Sequence, residues 1–530
     1  MQRVGWMSVI VWLLGAGILQ AQPKSGPAEH PPLLSVSDIT IPSELGYVLE
    51  RHAATSISHP TIVVHIQESH ADYETQRHLA SILEHLIQRY GLKRILVEGG
   101  EGNVGLSYLR SYGPLENRKA IAEKYLKVGL LSGEEYLDIV SDFPLLLWGI
   151  EQKALYDQHV KAFLEVEVIA PSLEAILQDV RDAAETLRPK VFSPVLVDLM
   201  TSIEAFDAGA IELTDYADRL SSLAKGVGIS KEYTLHTRRF ETLRELERTL
   251  DFERVQKEQG SLIEELGRRL NPEAFDDLTE QARALGQDDP SLDAFYHTLK
   301  RLAESSGIAS TQYPQLFQYI EYLTEGSKLD PVALADELEQ LVQELLTRLG
   351  DSPAARQLSS IEQQRLLVEK FVMLRLSPKE HQRFRLLSPE DMLPMWNRFL
   401  TGQALVHGLK APSLEEGLQR LQVAWPVLER FYNIAMERDE VLVQKTLEQL
   451  NQASEEPVVV LISGGFHSPG ITQRLRKQGV NVIVVTPATN QVVDEAHYHA
   501  VLKYKNGYGR LEDVRTPANQ TVAEDTSRAE

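Results

Sequence analysis

Cysteine is absent from the 530 residues. That excludes disulfides, thiolate zinc sites, iron–sulfur clusters and a cysteine nucleophile. Any metal would have to be held by main-chain oxygen, Asp, Glu or the 15 histidines. Positive charge is also scarce: 54 Lys and Arg stand against 76 Asp and Glu, a formal net charge of −22. So acidic a body repels phosphate backbones, which argues against a nucleic-acid partner. Beyond the N-terminus no charge-free apolar run approaches the roughly 20 residues of a bilayer span. Hydrophobic residues at 43% and charged residues at 25% are ordinary globular usage and exclude a disordered or collagen-like chain. The length allows two to four domains, or one domain carrying a large insertion.

The N-terminal segment differs from the rest. Arg3 is the only charged residue before Lys24, and VGWMSVIVWLLGAGILQAQ lies between them. A basic start, an apolar middle and small residues at the end read as a secretory signal, with Leu19 and Ala21 at the −3 and −1 sites of cleavage. The expectation is therefore a signal peptide over 1–21, a Pro-rich linker over 22–34 and a periplasmic or extracellular protein with no membrane span after cleavage. An uncleaved anchor is the alternative. No cysteine follows the cleavage point, which excludes a bacterial lipid anchor.

Strand and helix signals alternate between residues 60 and 155. TIVVHIQ (61–67) is a β-branched run, and 72–91 follows with a helical stripe of Leu79, Ile82, Leu83, Leu86 and Ile87 closed by Gly91. RILVEGG (94–100) and LLLWGIE (145–151) are further strands. From about 156 to 450 the pattern is helical throughout. Its clearest helix, 331–350, has Asp330 as cap, Pro331 at the first position and Gly350 as its end. Another begins at Ser413, with Glu416 completing a capping box. Strands return as PVVVLIS (457–463) and VNVIVVTP (480–487), with a helix from about Pro469 to Gln478 between them; AHYHAVLKYK (496–505) reads as a further edge strand. The fold class expected is α/β: a mostly parallel sheet with flanking helices, its first part over 35–155 and its second over 452–515, split by a helical insertion over 156–451 and followed by a disordered tail over 516–530. The two sheet segments should share one sheet, because neither supplies enough strands alone.

Parallel sheets bind ligands beyond the C-terminal ends of their strands. Here those ends read Gln67-Glu68-Ser69-His70, Glu98-Gly99-Gly100-Glu101, Gly149-Ile150-Glu151 and Gly464-Gly465-Phe466-His467. Imidazoles and carboxylates converging on one edge suit a divalent ion such as Mn, Co or Zn, held by His70, His467 and Glu98. An open position on such an ion activates water, and Glu68 or Glu98 can take its proton. Gly464 and Gly465 let the backbone come close, and Glu151 is a supporting acid that would orient an imidazole. Ser468 and Pro469 read as a helix cap and first turn, so His467 lies at a helix N-terminus that stabilises an oxyanion. Other ionisable groups read as ordinary. His65 lies inside the first strand and is a packed histidine; Glu101 is a solvated loop acid. His78 and His85 are two helical turns apart, too far for joint ligation, and His497 and His499 alternate on the expected edge strand.

Taken together, these motifs resemble the superfamily uniting the TIKI and TraB/PrgY proteins, the ChaN haem-uptake lipoproteins and the erythromycin esterases. The late Gly-x-x-His is intact as Gly464-Gly465-Phe466-His467. The early motif is Gln67-Glu68-Ser69-His70, with Gln where the family has glycine; the second-strand glutamate is Glu98; and Glu437-Arg438-Asp439 is similar to the family's helical Glu-Arg-Asn element. The resemblance implies an α/β fold with its site at these strand ends. Its members include metal-dependent proteases, esterases and haem binders. We therefore expect an exported, metal-dependent hydrolase of amide or ester bonds acting on a small molecule or peptide, with Arg438 holding a carboxylate or the developing negative charge. A salt bridge to Asp439 is the alternative for Arg438. The alternative function is a non-catalytic haem or metal binder of the ChaN type, with His70 or His467 as axial ligand. The helical insertion is a candidate protein-interaction surface.

Overall fold

The computed structural model describes residues 34–514 except 43, 55–59, 69–70, 230–234, 285–291, 330 and 490–493. The expected signal segment 1–21, all but the last residue of the linker, the tail 516–530 and the cap Asp330 lie outside the described residues. Among the described residues no helix is long and apolar enough to cross a membrane.

Seven strands form one sheet: β1 (Gly46–His52), β2 (Ile62–Glu68), β3 (Arg94–Val97), β4 (Glu101–Asn103), β5 (Leu146–Ile150), β6 (Val458–Gly464) and β7 (Asn481–Pro487). Their order is β1-β7-β2-β6-β3-β5-β4. The five inner strands are parallel, so the early and late segments do share one sheet: Ile62 of β2 stands beside Val458 of β6 and Asn481 of β7. β1 and β4 close the edges as antiparallel strands. Neither edge was expected. β1 alternates between half-buried and exposed residues, and β4 has only three residues, so neither carries the continuous apolar run of an inner strand.

The inner strands are apolar on both faces because helices cover both. Ile62, Val64, Ile66, Ile95, Val460, Ile462, Ile483 and Val485 pack beneath the helices Tyr73–Tyr90, Leu115–Lys127 and Gly133–Val140. Val63, Leu96, Val459, Leu461, Val482 and Val484 pack on the other face against Leu442, Val443 and Leu450 of helix Glu415–Gln452 and Ile471 and Leu475 of helix Ser468–Lys477. Full burial of each such side chain contributes about 1.5–3 kcal/mol. The strand ends are thereby fixed in place, and so are the polar groups they carry.

Three expectations need correction. Residues 496–505 are helical, not an edge strand: Asp494 caps helix Glu495–Lys505 by accepting from the His497 amide at 3.0 Å, and His497 and Val501, one turn apart, are its buried residues. The alternation of His497, Tyr498 and His499 is thus a local coincidence on a 3.6-residue period. The helix expected from Ser413 starts at Glu415. The helix after β6 starts one residue earlier than expected, at Ser468, and His467 is itself the N-cap.

The chain forms two compact units. The sheet, with residues up to 161 and from 432 onward, is one. The other covers 162–285 and 290–431, and its described residues are helical or connecting throughout. It has its own apolar core around Leu262, Leu266, Phe295, Leu299, Leu316 and Ile320. It also buries an ion network in which Arg188 bonds Glu362 and Glu204, and Arg365 bonds Glu204 at 2.7 Å.

Candidate functional site

The sheet unit takes the first turns of one long helix, Lys153–Val191, and the last turns of another, Glu415–Gln452. From these, and from the ends of β3, β5 and β6, one polar cluster is built around Arg438. Arg438 is buried, 3% exposed. Its Nη1 donates to His159 Nδ1 at 2.7 Å and to His467 Nε2 at 3.1 Å. Its Nη2 donates to Glu98 Oε1 at 2.8 Å and to Glu151. Every Nη hydrogen is therefore used, while Nε, buried, has no acceptor. Tyr156 covers the flat face, its ring centroid 5.2 Å from the guanidinium carbon, and the Tyr156 hydroxyl accepts from Asn506 at 3.3 Å.

Each partner has a reason for its place. Glu98 continues the face of Leu96, and its amide extends the ladder to Ile462 O at 3.1 Å. Its second oxygen accepts from the Gly464 amide at 2.8 Å, tying the end of β3 to the end of β6. Glu151 follows β5, where its amide bonds Gly100 O at 2.9 Å. A Cβ on Gly149 would lie 2.1 Å from the Gly100 carbonyl carbon, so only glycine lets β5 run this close to the turn. Tyr156 and His159 are three residues apart on one helix and share a face. His467 caps helix Ser468–Lys477, and its Nδ1 lies 2.6 Å from Asp439 Oδ1. A Cβ on Gly470 would lie 2.1 Å from Asp439 Oδ2, so that helix approaches Asp439 only because residue 470 is glycine.

The electrostatics follow from burial. Burial opposes the charge on Arg438, but Glu98 and Glu151 outweigh it and raise its pKa. Burial, then the Arg438 charge and His467, push the His159 pKa down to about 2, so His159 is neutral. The Asp439 carboxylate fixes the Nδ1–H tautomer of His467, whose Nε2 lone pair then faces Arg438. One guanidinium thus faces two carboxylates. The buried Oε2 of Glu151 has no hydrogen-bond partner. Beside this cluster Lys445 bonds Glu101 at 3.1 Å and the Glu151 carbonyl. Glu98, with 11% of its side chain exposed, and the exposed Gly465 mark the side that meets solvent.

Of the residues singled out in the sequence, Glu98, Glu151, Arg438 and His467 come together; His467 Nε2 and Glu98 Oε1 are 3.7 Å apart. His70 lies outside the described residues. Glu68 ends β2 on the opposite face, where its carboxylate accepts from Gln76 and its charge helps burial raise the pKa of Glu134. His65 is the packed histidine expected: its nitrogens bond Thr472 Oγ1 at 2.9 Å and Ser463 Oγ at 2.8 Å, and burial lowers its pKa to about 3. Arg438 does not pair with its neighbour Asp439, and Asp439, rather than Glu151, orients His467. His159 and Tyr156 were not anticipated; their three-residue spacing just after Glu151 was the available signal.

Among the described residues no three His, Asp or Glu side chains are grouped so as to hold a metal ion. The donors that a divalent ion would use, Glu98, Glu151, His159 and His467, are turned toward a guanidinium instead. No family model, no curated protein and no solved structure matches the chain.

Proposed function

We propose that the chain is an exported hydrolase of an amide or ester bond, with its site at the C-terminal ends of the parallel strands. The observation that carries this reading is His467, held by Asp439 at Nδ1 and presenting Nε2 beside a buried guanidinium. A carboxylate-oriented imidazole of fixed tautomer is a general base. The Nε2 contact to Arg438, at 3.1 Å, is the longer of the two from Nη1 to the imidazoles, and water can take its place. Nε2 then accepts the proton of that water as it attacks the carbonyl carbon, and Asp439 stabilises the imidazolium that forms. Arg438 and the N-terminus of helix Ser468–Lys477 supply positive potential for the developing oxyanion. Glu98 holds Arg438 in register with β6. We read the helical unit as an insertion splitting the α/β domain, and as a protein-interaction surface.

The sequence expectation of a divalent ion at His70, His467 and Glu98 enters the test directly. Full-length protein purified without chelator is assayed on a panel of ester and amide substrates as isolated, after chelation, and after addition of Mn²⁺, Co²⁺ or Zn²⁺. Turnover of at least one substrate that is lost in His467→Ala and retained in His85→Ala supports the reading. His85 serves as the control because it lies on helix Tyr73–Tyr90, outside the cluster, where its Nε2 and Thr40 O are 3.1 Å apart. Full turnover in His467→Ala overturns it.

A further inference from the structure

The Arg438 cluster has the donor chemistry of a metal site and the occupant of an ion pair. Two carboxylates and two imidazoles are a usual set for Zn²⁺ or Mn²⁺. All four accept from the two Nη atoms of one guanidinium, which share a single carbon. Two ligands of a tetrahedral ion with bonds of ~2.1 Å lie roughly 3.4 Å apart, and His467 Nε2 and Glu98 Oε1 are 3.7 Å apart. That one pair stands slightly wider than an ion requires, and with Arg438 in place the described residues form no metal-binding group.

We propose that this is a cation site whose resident cation is the chain's own guanidinium. Arg438 satisfies the four acceptors as a metal would, without leaving the helix that carries it, so the folded wild-type protein takes no divalent ion here. Three features favour a tethered cation over a free one. The guanidinium stays charged, because an arginine side chain does not lose its proton in a protein. Tyr156 covers its face, a contact that suits a planar cation and that a small ion would not use. A tethered group also loses less freedom on docking than an ion drawn from solution, and an entering ion must displace four charge-assisted or imidazole hydrogen bonds at once. Removing the guanidinium leaves two buried carboxylates with a charge that a divalent ion neutralises. The proposal stands apart from the hydrolase reading, since the readouts are metal content and thermal stability.

The test compares full-length wild type, Arg438→Ala and Arg438→Lys, each stripped with chelator and dialysed against Zn²⁺ or Mn²⁺. Metal is counted by elemental analysis and unfolding is followed thermally. Wild type and Arg438→Lys should hold less than about 0.1 equivalent and show no rise in Tm, because a tethered cation remains. Arg438→Ala should take up about one equivalent with a rise in Tm, because an ion that binds only the folded state stabilises it. Adding Glu98→Gln to Arg438→Ala should weaken that uptake roughly tenfold or more. Should Arg438→Ala fail to fold when stripped, added Zn²⁺ is expected to restore folding, and failure to do so counts against the proposal. The double variant Arg438→Ala/Glu151→Gln, with one buried charge fewer, should still bind about one equivalent. Wild type that retains one equivalent lost in His467→Ala overturns the proposal, as does folded Arg438→Ala that binds none.

Discussion

Substituting Arg438→Met removes the guanidinium between Glu98 and Glu151 while keeping an apolar stem of similar reach. Breaking a buried ion pair by deleting one partner costs about 3–5 kcal/mol, because the surviving charge is left without compensation. That range applies here because the Arg438 and Glu151 side chains are only 4% and 2% exposed, so water screens them little. The pH dependence separates this cause from a packing defect. In the wild type, His65 and His159 have folded pKa values of about 3 and about 2, below the ordinary 6.5. Between 6.5 and those values the unfolded chain binds more protons, so wild-type stability falls as pH falls. Each histidine removes about 2 kcal/mol between pH 6.5 and pH 5, at about 1.4 kcal/mol per pH unit. In the variant, two buried carboxylates without a cation have raised pKa values, and His159 loses one of the charges holding it down. The folded variant then binds protons that the folded wild type does not. Its deficit of about 3–5 kcal/mol at pH 7.5 should shrink by about 1 kcal/mol or more at pH 5. Hydrogen exchange of peptides from β3 and β6, in urea and chelator, measures this, with peptides from the helical unit as internal reference. A deficit below about 1 kcal/mol at pH 7.5, or one that widens at pH 5, would falsify the placement of Arg438 as a buried counter-charge.

The remaining site and stability predictions are narrower. Asp439→Asn should lower kcat on the best panel substrate by roughly 10³-fold with little change in KM, because the imidazole loses the carboxylate that sets its tautomer; steady-state kinetics decide it, and an unchanged kcat rejects the dyad. Gly470→Ala places a Cβ where Asp439 Oδ2 lies and should destabilise the fold by about 1–3 kcal/mol while reducing turnover in parallel; denaturant unfolding with wild-type values for both would show that the helix is not held against Asp439. His65→Leu leaves the Ser463 and Thr472 hydroxyls without a ring partner and should destabilise at pH 7.5, yet flatten the acid loss of stability by about 1.4 kcal/mol per pH unit below pH 6.5. Identical pH slopes in the two proteins would contradict the neutral, buried state of His65.

The sequence was legible where burial is two-sided. β2, β3, β5, β6 and β7 are dense in Val, Ile and Leu because helices cover both faces of the sheet, and such runs admit few other readings. Edge strands β1 and β4 gave no such run, since water or loops satisfy one of their sides. For the site, Glu98 and His467 stood out by ending apolar strands. The alternative pairing of Arg438 with Asp439 fails for a geometric reason. Neighbours on a helix point about 100° apart, so Arg438 and Asp439 serve different partners rather than each other. Arg438 turns to Glu98 and Glu151, and Asp439 to His467. His159 carries no strand-end signature at all. Its role depends on the helix after β5 returning its first turns to Arg438, a tertiary fact with only the Tyr156–His159 spacing to betray it.

Strand order makes the late segment indispensable to the early one. β6 lies between β2 and β3, and β7 lies between β1 and β2. A chain ending at residue 451 would therefore leave β1 and β2 with no partner in the sheet and β3 with β5 alone. It would also lack Gly464 and His467, and with them the amide that anchors Glu98. The separation is large, 366 residues between Glu98 and Gly464. Closing so long a loop is not prohibitive, because each doubling of length adds only about 0.6 kcal/mol. Against that stands the burial of Val458, Val459, Val460, Leu461 and Ile462, all 2% exposed or less, each contributing about 1.5–3 kcal/mol. The balance favours a sheet that is completed only when the last segment enters its centre. Truncation after residue 451 should thus abolish protease resistance of 60–150 while the helical unit, which has its own core, keeps its resistance. Limited proteolysis with mass spectrometry reads both outcomes in one sample. Resistance of 60–150 in the truncated chain would mean that β2 and β3 find other partners, and that the Arg438 cluster is not the device joining the two ends of this domain.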